Sequence, residues 1–124
     1  MAQTQEKSGL DDVFTRIERL VENRDLPDVT RGTSYGTPAL KVSDKSFTRL
    51  KDADTLVLLC PEEQKSLLME MSPDIYFETD HYVGWPAVLI RLSAIDDEEL
   101  SLRLEDAWRF KAPKNVAAKK PQRG

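Results

Sequence analysis

The stretch Leu56 to Glu63, LVLLCPEE, decides the fold class because an apolar run passes directly into the start of a helix. Its five leading apolar residues have the length of a strand and predict one at the centre of a sheet. Pro61 suits the first position of a helix, and Glu62 and Glu63 complement the positive end of the helix dipole. The stretch therefore predicts a central strand followed at once by a helix.

Two amphipathic helices are predicted outside this stretch. Within residues 10–21, apolar side chains recur at i, i+3, i+4 and i+7, which is the spacing of one helix face, and predict a helix over residues 8–23. Asp96 and Glu99 form a pair that resembles a capping box, and they predict a last helix that Pro113 ends. These two helices flank the strand-rich centre of the chain.

Four more strands are predicted around the apolar run. Residues 39–42 and 46–50 flank Ser43-Asp44-Lys45, which has the length of a hairpin connection. Residues 75–78 and 86–92 form two later strands, and the leading proline of the second fits a strand start or a sheet edge because it has no N–H. The connections are short enough for neighbouring strands to pair.

The predicted order of elements is α-β-β-β-α-β-β-α. This order predicts the α+β class: a single domain with a mostly antiparallel sheet and helices packed on one face. Residues 25–37 are predicted to be a loop with at most a short extended piece around Val29. The predicted domain spans residues 8–111, between a flexible N-terminus at 1–7 and a basic, disordered tail at 112–124.

Charge is distributed unevenly over the 124 residues, whose formal net charge is -4. Residues 111–124 contain five basic residues and no acidic one, which leaves 13 basic and 22 acidic residues, a net charge of -9, in residues 1–110. A basic tail can contact nucleic acid, although such tails more often keep a protein in solution. An acidic body repels phosphate, so any DNA contact needs a local basic surface.

The composition also predicts the compartment. No apolar run approaches the 18 or more residues of a membrane span, and the first residues lack the pattern of a secretory signal. The single cysteine, Cys60, has no partner for an internal disulfide, which agrees with a reducing environment. We therefore expect a cytoplasmic protein that does not contact a membrane, with Cys60 as a small buried side chain.

Basic residues concentrate in the predicted hairpin. Lys41, Lys45, Arg49 and Lys51 follow Arg31 and share odd sequence parity, so an uninterrupted strand would project the four from one face. A two-stranded ribbon can enter a major groove, and a wing can follow the phosphates. These four are the predicted DNA-binding residues, and the alternative is that lysines protect an exposed sheet edge.

Three residues with aromatic rings fall in predicted loops or at strand ends. Tyr35, Tyr82 and Trp85 could stack on bases or on a small ligand. The predicted ligand surface consists of Tyr35, His81 and Trp85. The alternative for such rings is core packing with the polar atoms turned outward. Trp108 lies on the apolar stripe of the last helix and is predicted to belong to the core.

The sequence predicts no catalytic residue, metal site or cofactor. His81 is the only histidine, and the chain has neither a cysteine cluster at ligand spacing nor a Gly-x-Ser-x-Gly elbow. It has no glycine-rich phosphate loop, so no nucleotide cofactor is expected. A structural role for His81 beside Tyr82 and Trp85 is favoured over a role as a general base. Acids at Asp11-Asp12 and at 96–99 serve the helix dipoles, and a weak cation surface is the alternative.

Several short motifs follow one another along the chain: GTPALKV at 36–42 with Lys45 and Phe47, Pro61-Glu62, His81-Tyr82, Trp85, Asp97-Glu99-Leu100 and Asp106-Ala107-Trp108. Their order and spacing, over roughly residues 8–111, resemble those of the MmcQ/YjbR family of small bacterial proteins. Family members usually have Ser-Tyr where this chain has Ala107-Trp108, and a β-branched residue where it has Pro86. A role for that serine is therefore not transferred.

The resemblance implies a frataxin-like α+β fold and a DNA-binding, non-catalytic function, an inference from fold similarity. Two alternatives remain at this point. One is a protein-interaction module that uses its acidic surface, and the other is an enzyme or a small-molecule or metal-binding protein with His81 in a cleft. DNA or a protein is therefore the expected partner, and the sequence does not predict an oligomeric state.

Overall fold

A six-stranded sheet organises the computed structural model, which describes residues 2–120 and the side chains from residue 9 onward. The strands are β1 (Val29–Ser34), β2 (Thr37–Val42), β3 (Lys45–Asp52), β4 (Thr55–Leu59), β5 (Tyr76–Phe77) and β6 (Ala87–Arg91). The helices are α1 (Ala2–Asn23), α2 (Glu62–Met71), α3 (Asp97–Lys111) and α4 (Lys114–Ala117), and Asp80–Tyr82 forms a 3₁₀ turn. Within residues 2–120, no helix combines the length and the hydrophobicity needed to cross a bilayer.

All strand pairs are antiparallel, in the order β1-β2-β3-β4-β6-β5. Helices α1 and α3 pack on each other and on one face of this sheet. The arrangement confirms the predicted α+β class and single domain. It also places β4, the strand of the apolar run, in the interior of the sheet between β3 and β6.

The continuous apolar character of β4 follows from burial on both of its faces. Leu56 and Leu58 are fully buried on the helix side, together with Phe14 of α1 and Trp108 of α3. Val57 points to the other side and belongs to a second, smaller apolar cluster. Trp108 is in the core as predicted, and its indole N–H donates to the Pro27 carbonyl at 2.9 Å.

The start of α3 is capped by the predicted residue. The Asp96 carboxylate accepts a hydrogen bond from the Glu99 backbone N–H at 2.8 Å, which satisfies one of the free donors of the first turn. The Glu99 side chain does not complete a capping box, because it accepts a hydrogen bond from the Tyr76 hydroxyl instead. Arg16 links α1 to this region by pairing with Asp97 at 2.7 Å.

One strand was missing from the prediction. Residues 25–37 contain β1, which pairs along its whole length with β2, from Val29 opposite Val42 to Ser34 opposite Thr37. Only one residue of β1 is a large apolar one, because this edge strand has little core to cover. The usual alternation of apolar and polar residues is therefore absent, and the sheet has six strands where the sequence predicts five.

The hairpin connection between β2 and β3 has two residues and not three. Ser43 and Asp44 both have positive φ, 47° and 74°, and Lys45 already belongs to β3. Two residues with φ > 0 are the requirement of a type I′ turn, for which glycine or asparagine is the usual signal. This turn pairs Lys45 with Val42 on the helix side, and a register shift between Leu40 and Lys41, opposite Thr48 and Ser46, returns Arg49 to the face of Lys41.

The ends of the domain also differ from the prediction. Helix α1 begins at Ala2 and not near Ser8. The C-terminal segment predicted to be disordered contains α4, and Val116 of α4 is only 5% exposed because it packs into the main core. The predicted disorder of residues 121–124 lies outside the described part of the chain.

Candidate nucleic-acid interface

The sheet face opposite α1 and α3 is called the open face. Residues on neighbouring strands that face each other share a side of the sheet, so the register assigns each side chain to a face. Arg49 lies opposite Val57, and Val57 lies opposite Leu89. Val57 and Leu89 belong to the smaller apolar cluster, which also includes Tyr82. This row of residues identifies the open face across the centre of the sheet.

Four basic residues project from the open face. Arg49 lies in the row just described, and Lys41 of β2 pairs with Ser46 on the same side as Ala39, the partner of Arg49. Lys51 directly follows Leu50, which is buried on the helix side, and is the extra residue at a register shift of β3 against β4, next to Asp52, the partner of Thr55. Arg91 of β6 is two residues beyond Leu89 and opposite Thr55. The open-face cations are therefore Lys41, Arg49, Lys51 and Arg91.

The prediction that all four hairpin cations share a face is wrong for one of them. Lys45 pairs with Val42, whose side chain is fully buried in the helix-side core. Arg31 is on that side too: its guanidinium lies 5.4 Å from the centre of the Phe14 ring and pairs with Asp11 of α1 at 2.7 Å. Neither residue belongs to the open face.

The open-face cations differ from five of the other arginines in their electrostatic partners. Arg16, Arg24, Arg31, Arg103 and Arg109 each form an ion pair with a carboxylate. Within residues 9–120, no ion pair involves any of the four open-face cations. Their positive charge is thus available to an external anion.

Charge is segregated between the two layers of the fold. The six strands contain six basic residues and a single acid, Asp52, whereas α1, α2 and α3 together contain thirteen acidic and seven basic residues. The acidic balance of the chain is therefore carried by the helices. The open face is locally basic although the whole chain is not, which is the condition that DNA contact requires.

The three predicted ligand-surface residues are brought to one side of the sheet and are linked by Arg49. The Arg49 guanidinium lies 4.8 Å from the centre of the Tyr35 ring and donates to the Tyr82 hydroxyl at 2.7 Å. The Tyr82 ring then contacts His81 and Trp85, with ring centres 5.1 and 5.9 Å away. We call Tyr35, His81, Tyr82 and Trp85 the aromatic strip.

The members of the aromatic strip differ in exposure. Tyr82 is 4% exposed and covers the apolar cluster of the open face, so for this residue core packing with an outward polar atom is the outcome. Tyr35 is 82% exposed and Trp85 is 46% exposed. The alternative of core packing is therefore wrong for Tyr35, and only partly right for Trp85.

A buried lysine holds the segment that carries half of this strip. Lys65 of α2 is 1% exposed, and its ammonium donates to the carbonyl oxygens of Tyr82 and Trp85 at 2.6 and 2.9 Å. It also pairs with Glu78 at 2.7 Å. Three acceptors satisfy all three donors of the ammonium group, which makes its burial tolerable. Lys65 thereby fixes both ends of the segment 82–85 to α2.

His81 is exposed, whereas Cys60 is buried. The His81 ring is exposed and lies 5.4 Å from the Trp85 ring, which confirms its predicted neighbours. Within the described residues, no three histidine, cysteine or carboxylate side chains are grouped to hold a metal ion. Burial raises the pKa of the Cys60 thiol to about 11, so the thiol stays protonated near neutral pH.

Sequence reasoning missed Arg91, Tyr82 as a direct partner of Arg49, and Lys65. Alternation along AVLIR places Arg91 on the same face as Ala87 and Leu89, but a continuous apolar strand does not tell which face is covered. Lys65 follows the pattern of an exposed helix residue, because nothing local shows that carbonyl groups distant in sequence surround it. Both depend on tertiary structure.

Comparison with known proteins adds a family match. The family model described as YjbR matches residues 24–110. An uncharacterised protein of Mycobacterium bovis and two of Mycobacterium tuberculosis are each 38% identical over 60 residues, which cover 48% of this chain. The match spans 46% of the length of those relatives. No solved structure matches the chain.

Proposed function

The chain belongs to the YjbR family, and from that premise we propose that it is a non-catalytic, cytoplasmic DNA-binding protein. The backbone phosphates are contacted by the open face through Lys41, Arg49 and Lys51 of the β2–β3 region and through Arg91 of β6. This placement modifies the hairpin hypothesis in one respect, because Lys45 is replaced by Arg91.

The observation that carries the proposal is the position of these four cations on one face of the sheet, where none has a carboxylate partner among residues 9–120. An arginine already paired with a carboxylate loses that interaction when it binds a phosphate, whereas an unpaired cation does not. The Lys41 side chain lies along the surface of the sheet. Its Cε is 3.4 Å from the position that a Cβ on Gly32 would occupy. Binding then releases counterions from the DNA and depends steeply on salt.

The test measures the affinity of the full chain for a short DNA duplex at several salt concentrations. The double variant Lys41→Gln with Lys51→Gln should weaken binding roughly tenfold and reduce the slope of log K against log salt by about 2, since each lysine neutralises one phosphate. Circular dichroism of the variant should match that of the unchanged protein, since neither side chain is fully buried.

Lys45→Gln is the matched control, because this lysine lies in the same hairpin but on the other face. It should leave the affinity and the salt slope unchanged. If Lys45→Gln weakens binding as much as Lys41→Gln, the hairpin tip and not the open face contacts DNA. An unchanged salt slope in the double variant would refute the phosphate contacts themselves.

A groove beside α1 favours a second candidate function, in which an acidic surface binds a partner protein. The groove has a volume of about 480 Å³ and apolar lining residues that include Val21 and Leu40. Its acids are Glu22, Asp25 and Glu18, the last of which pairs at 3.4 Å with Arg31, also in the lining. Such a site would suit a basic segment of a partner protein. Binding of that partner should survive Lys41→Gln and be weakened by Glu22→Gln, which is the reverse of the DNA proposal.

A further inference from the structure

We propose that the DNA bound by the open face is single-stranded, with unpaired bases stacking on Tyr35 and Trp85. The inference rests on the proposed function and specifies its ligand. Phosphate contacts alone do not distinguish a duplex from a single strand, since both present the same backbone charge. The exposed rings of the aromatic strip make that distinction.

Burial does not explain the presence of a tyrosine at position 35. It occupies the two-residue turn between β1 and β2 with φ of 54°, next to Gly36 with φ of 81°. A bulky residue at positive φ is strained, and asparagine or glycine would form the same turn more easily. The side chain is also 82% exposed, so it gains little from burial. A residue that is both strained and exposed is better explained by a ligand.

Arg49 orients the Tyr35 ring for stacking. Its guanidinium lies over the ring at 4.8 Å and is itself held by the Tyr82 hydroxyl. A cation on one face of the ring leaves the opposite face free for a base, and the exposure of Tyr35 agrees with that. The guanidinium is then also placed to meet the phosphate of the stacked nucleotide.

Trp85 provides a second stacking position on the same face. The Lys65 ammonium fixes the carbonyl groups of Tyr82 and Trp85, so the backbone that carries the ring is ordered before any ligand arrives. The His81 ring lies beside the indole at 5.4 Å with a tilt of 33°. Tyr35 and Trp85 are connected through Arg49 and Tyr82, so one continuous strand can reach both rings.

The bases of a duplex cannot stack on these rings. The faces of its bases are covered by the neighbouring base pairs, and only edges and phosphates are accessible in the grooves. A single strand presents base faces and phosphates at the same time. It can therefore contact the cations Lys41, Lys51 and Arg91 with its backbone while its bases contact the rings.

The test compares an oligothymidylate of about 15 nucleotides, within the range that single-strand-binding domains occupy, with a duplex of equal length. Fluorescence anisotropy of labelled DNA, with the full chain at one salt concentration, should show tighter binding to the single strand. Tyr35→Asn removes the ring while suiting the positive φ of the turn. It should lower single-strand affinity about tenfold, leave the salt slope unchanged and leave duplex affinity unchanged.

Trp85→Leu is the second variant and should lower the single-strand affinity by a similar factor. Trp85→Phe keeps an aromatic ring and should retain most of that affinity. Equal or tighter binding to the duplex, with no effect of Tyr35→Asn, would overturn the single-strand proposal and leave DNA binding intact. Tighter binding to oligouridylate than to oligothymidylate would reject DNA as the ligand. If neither the single strand nor the duplex binds at low salt, the proposed function fails as well.

Discussion

Lys65 illustrates how one side chain connects the fold to the site. Its ammonium is buried, and it is surrounded by the carbonyl oxygens of Tyr82 and Trp85 and the carboxylate of Glu78. Such a group contributes less to stability than its contacts imply, because the charge also loses its hydration. We expect its larger contribution to be specificity, since its contacts select one position for the segment that presents Trp85.

We expect Lys65→Met to lower the free energy of unfolding by about 2–4 kcal/mol, since two buried carbonyl groups and a carboxylate lose their donor while the volume is kept. Equilibrium urea denaturation followed by circular dichroism measures the change. Glu63→Gln, on an exposed position of the same helix, is the control and should change stability by less than about 0.5 kcal/mol. A similarly small effect of Lys65→Met would show that the ammonium is not the anchor.

At the scale of elements, some helices and strands are determined by residues adjacent in sequence, and others depend on tertiary contacts. The cap of α3, the strand β4 and the start of α2 follow from residues adjacent in sequence, so sequence patterns predict them. Pro61 is a minor exception: it precedes the first turn as the N-cap, and Glu62 is the first helical residue. These elements are predictable because each is stabilised mainly by its own residues.

Asp96→Ala should destabilise the protein by about 1 kcal/mol, because the Glu99 backbone N–H in the first turn of α3 loses its acceptor. Thermal unfolding monitored by circular dichroism detects a change of that size. Glu98→Ala removes a carboxylate from the same turn without removing the cap, and the loss should be smaller. Equal losses in the two variants would mean that the helix dipole, and not the cap, is responsible.

Elements that depend on context were not predictable in the same way. Strand β1 is an edge strand with little apolar surface, and it is held by hydrogen bonds to β2 rather than by its own pattern. The turn at Ser43-Asp44 lacks the residues that usually announce two positive φ values. The two-residue turn places Lys45 opposite Val42, and the register shift between Leu40 and Lys41 then places Arg49 on the face of Lys41, so sequence parity does not predict the face of Lys45.

At the scale of the whole molecule, the two layers carry opposite charge. The sequence showed an acidic body and a basic tail, but the separation that matters for binding is between helices and sheet. The sequence shows the basic residues of 31–51 as a group, but it does not show that Arg91 of β6 lies on the same face as Lys41 and Arg49. Six residues of the predicted site lie on one side of the sheet: Lys41, Arg49, Lys51, Tyr35, His81 and Trp85.

The basic tail should therefore contribute little to DNA binding. We expect Lys114→Gln with Lys119→Gln, two exposed lysines at α4, to leave the affinity and the salt slope within error of the unchanged protein. Substitution is preferable to truncation at residue 112, since truncation would also remove the buried Val116. The same duplex titration measures both quantities, and a loss comparable to that of Lys41→Gln with Lys51→Gln would assign the affinity to the tail.

The two tryptophans, one fully buried and one partly exposed, give the protein a built-in pair of optical reporters. Trp108 lies in the helix-side core and Trp85 on the opposite side of the sheet. A soluble quencher such as iodide reaches only the second indole while the fold is intact, since quenching requires collision. The quenched and protected fractions of the emission therefore separate events at the binding surface from events in the core, without an attached dye.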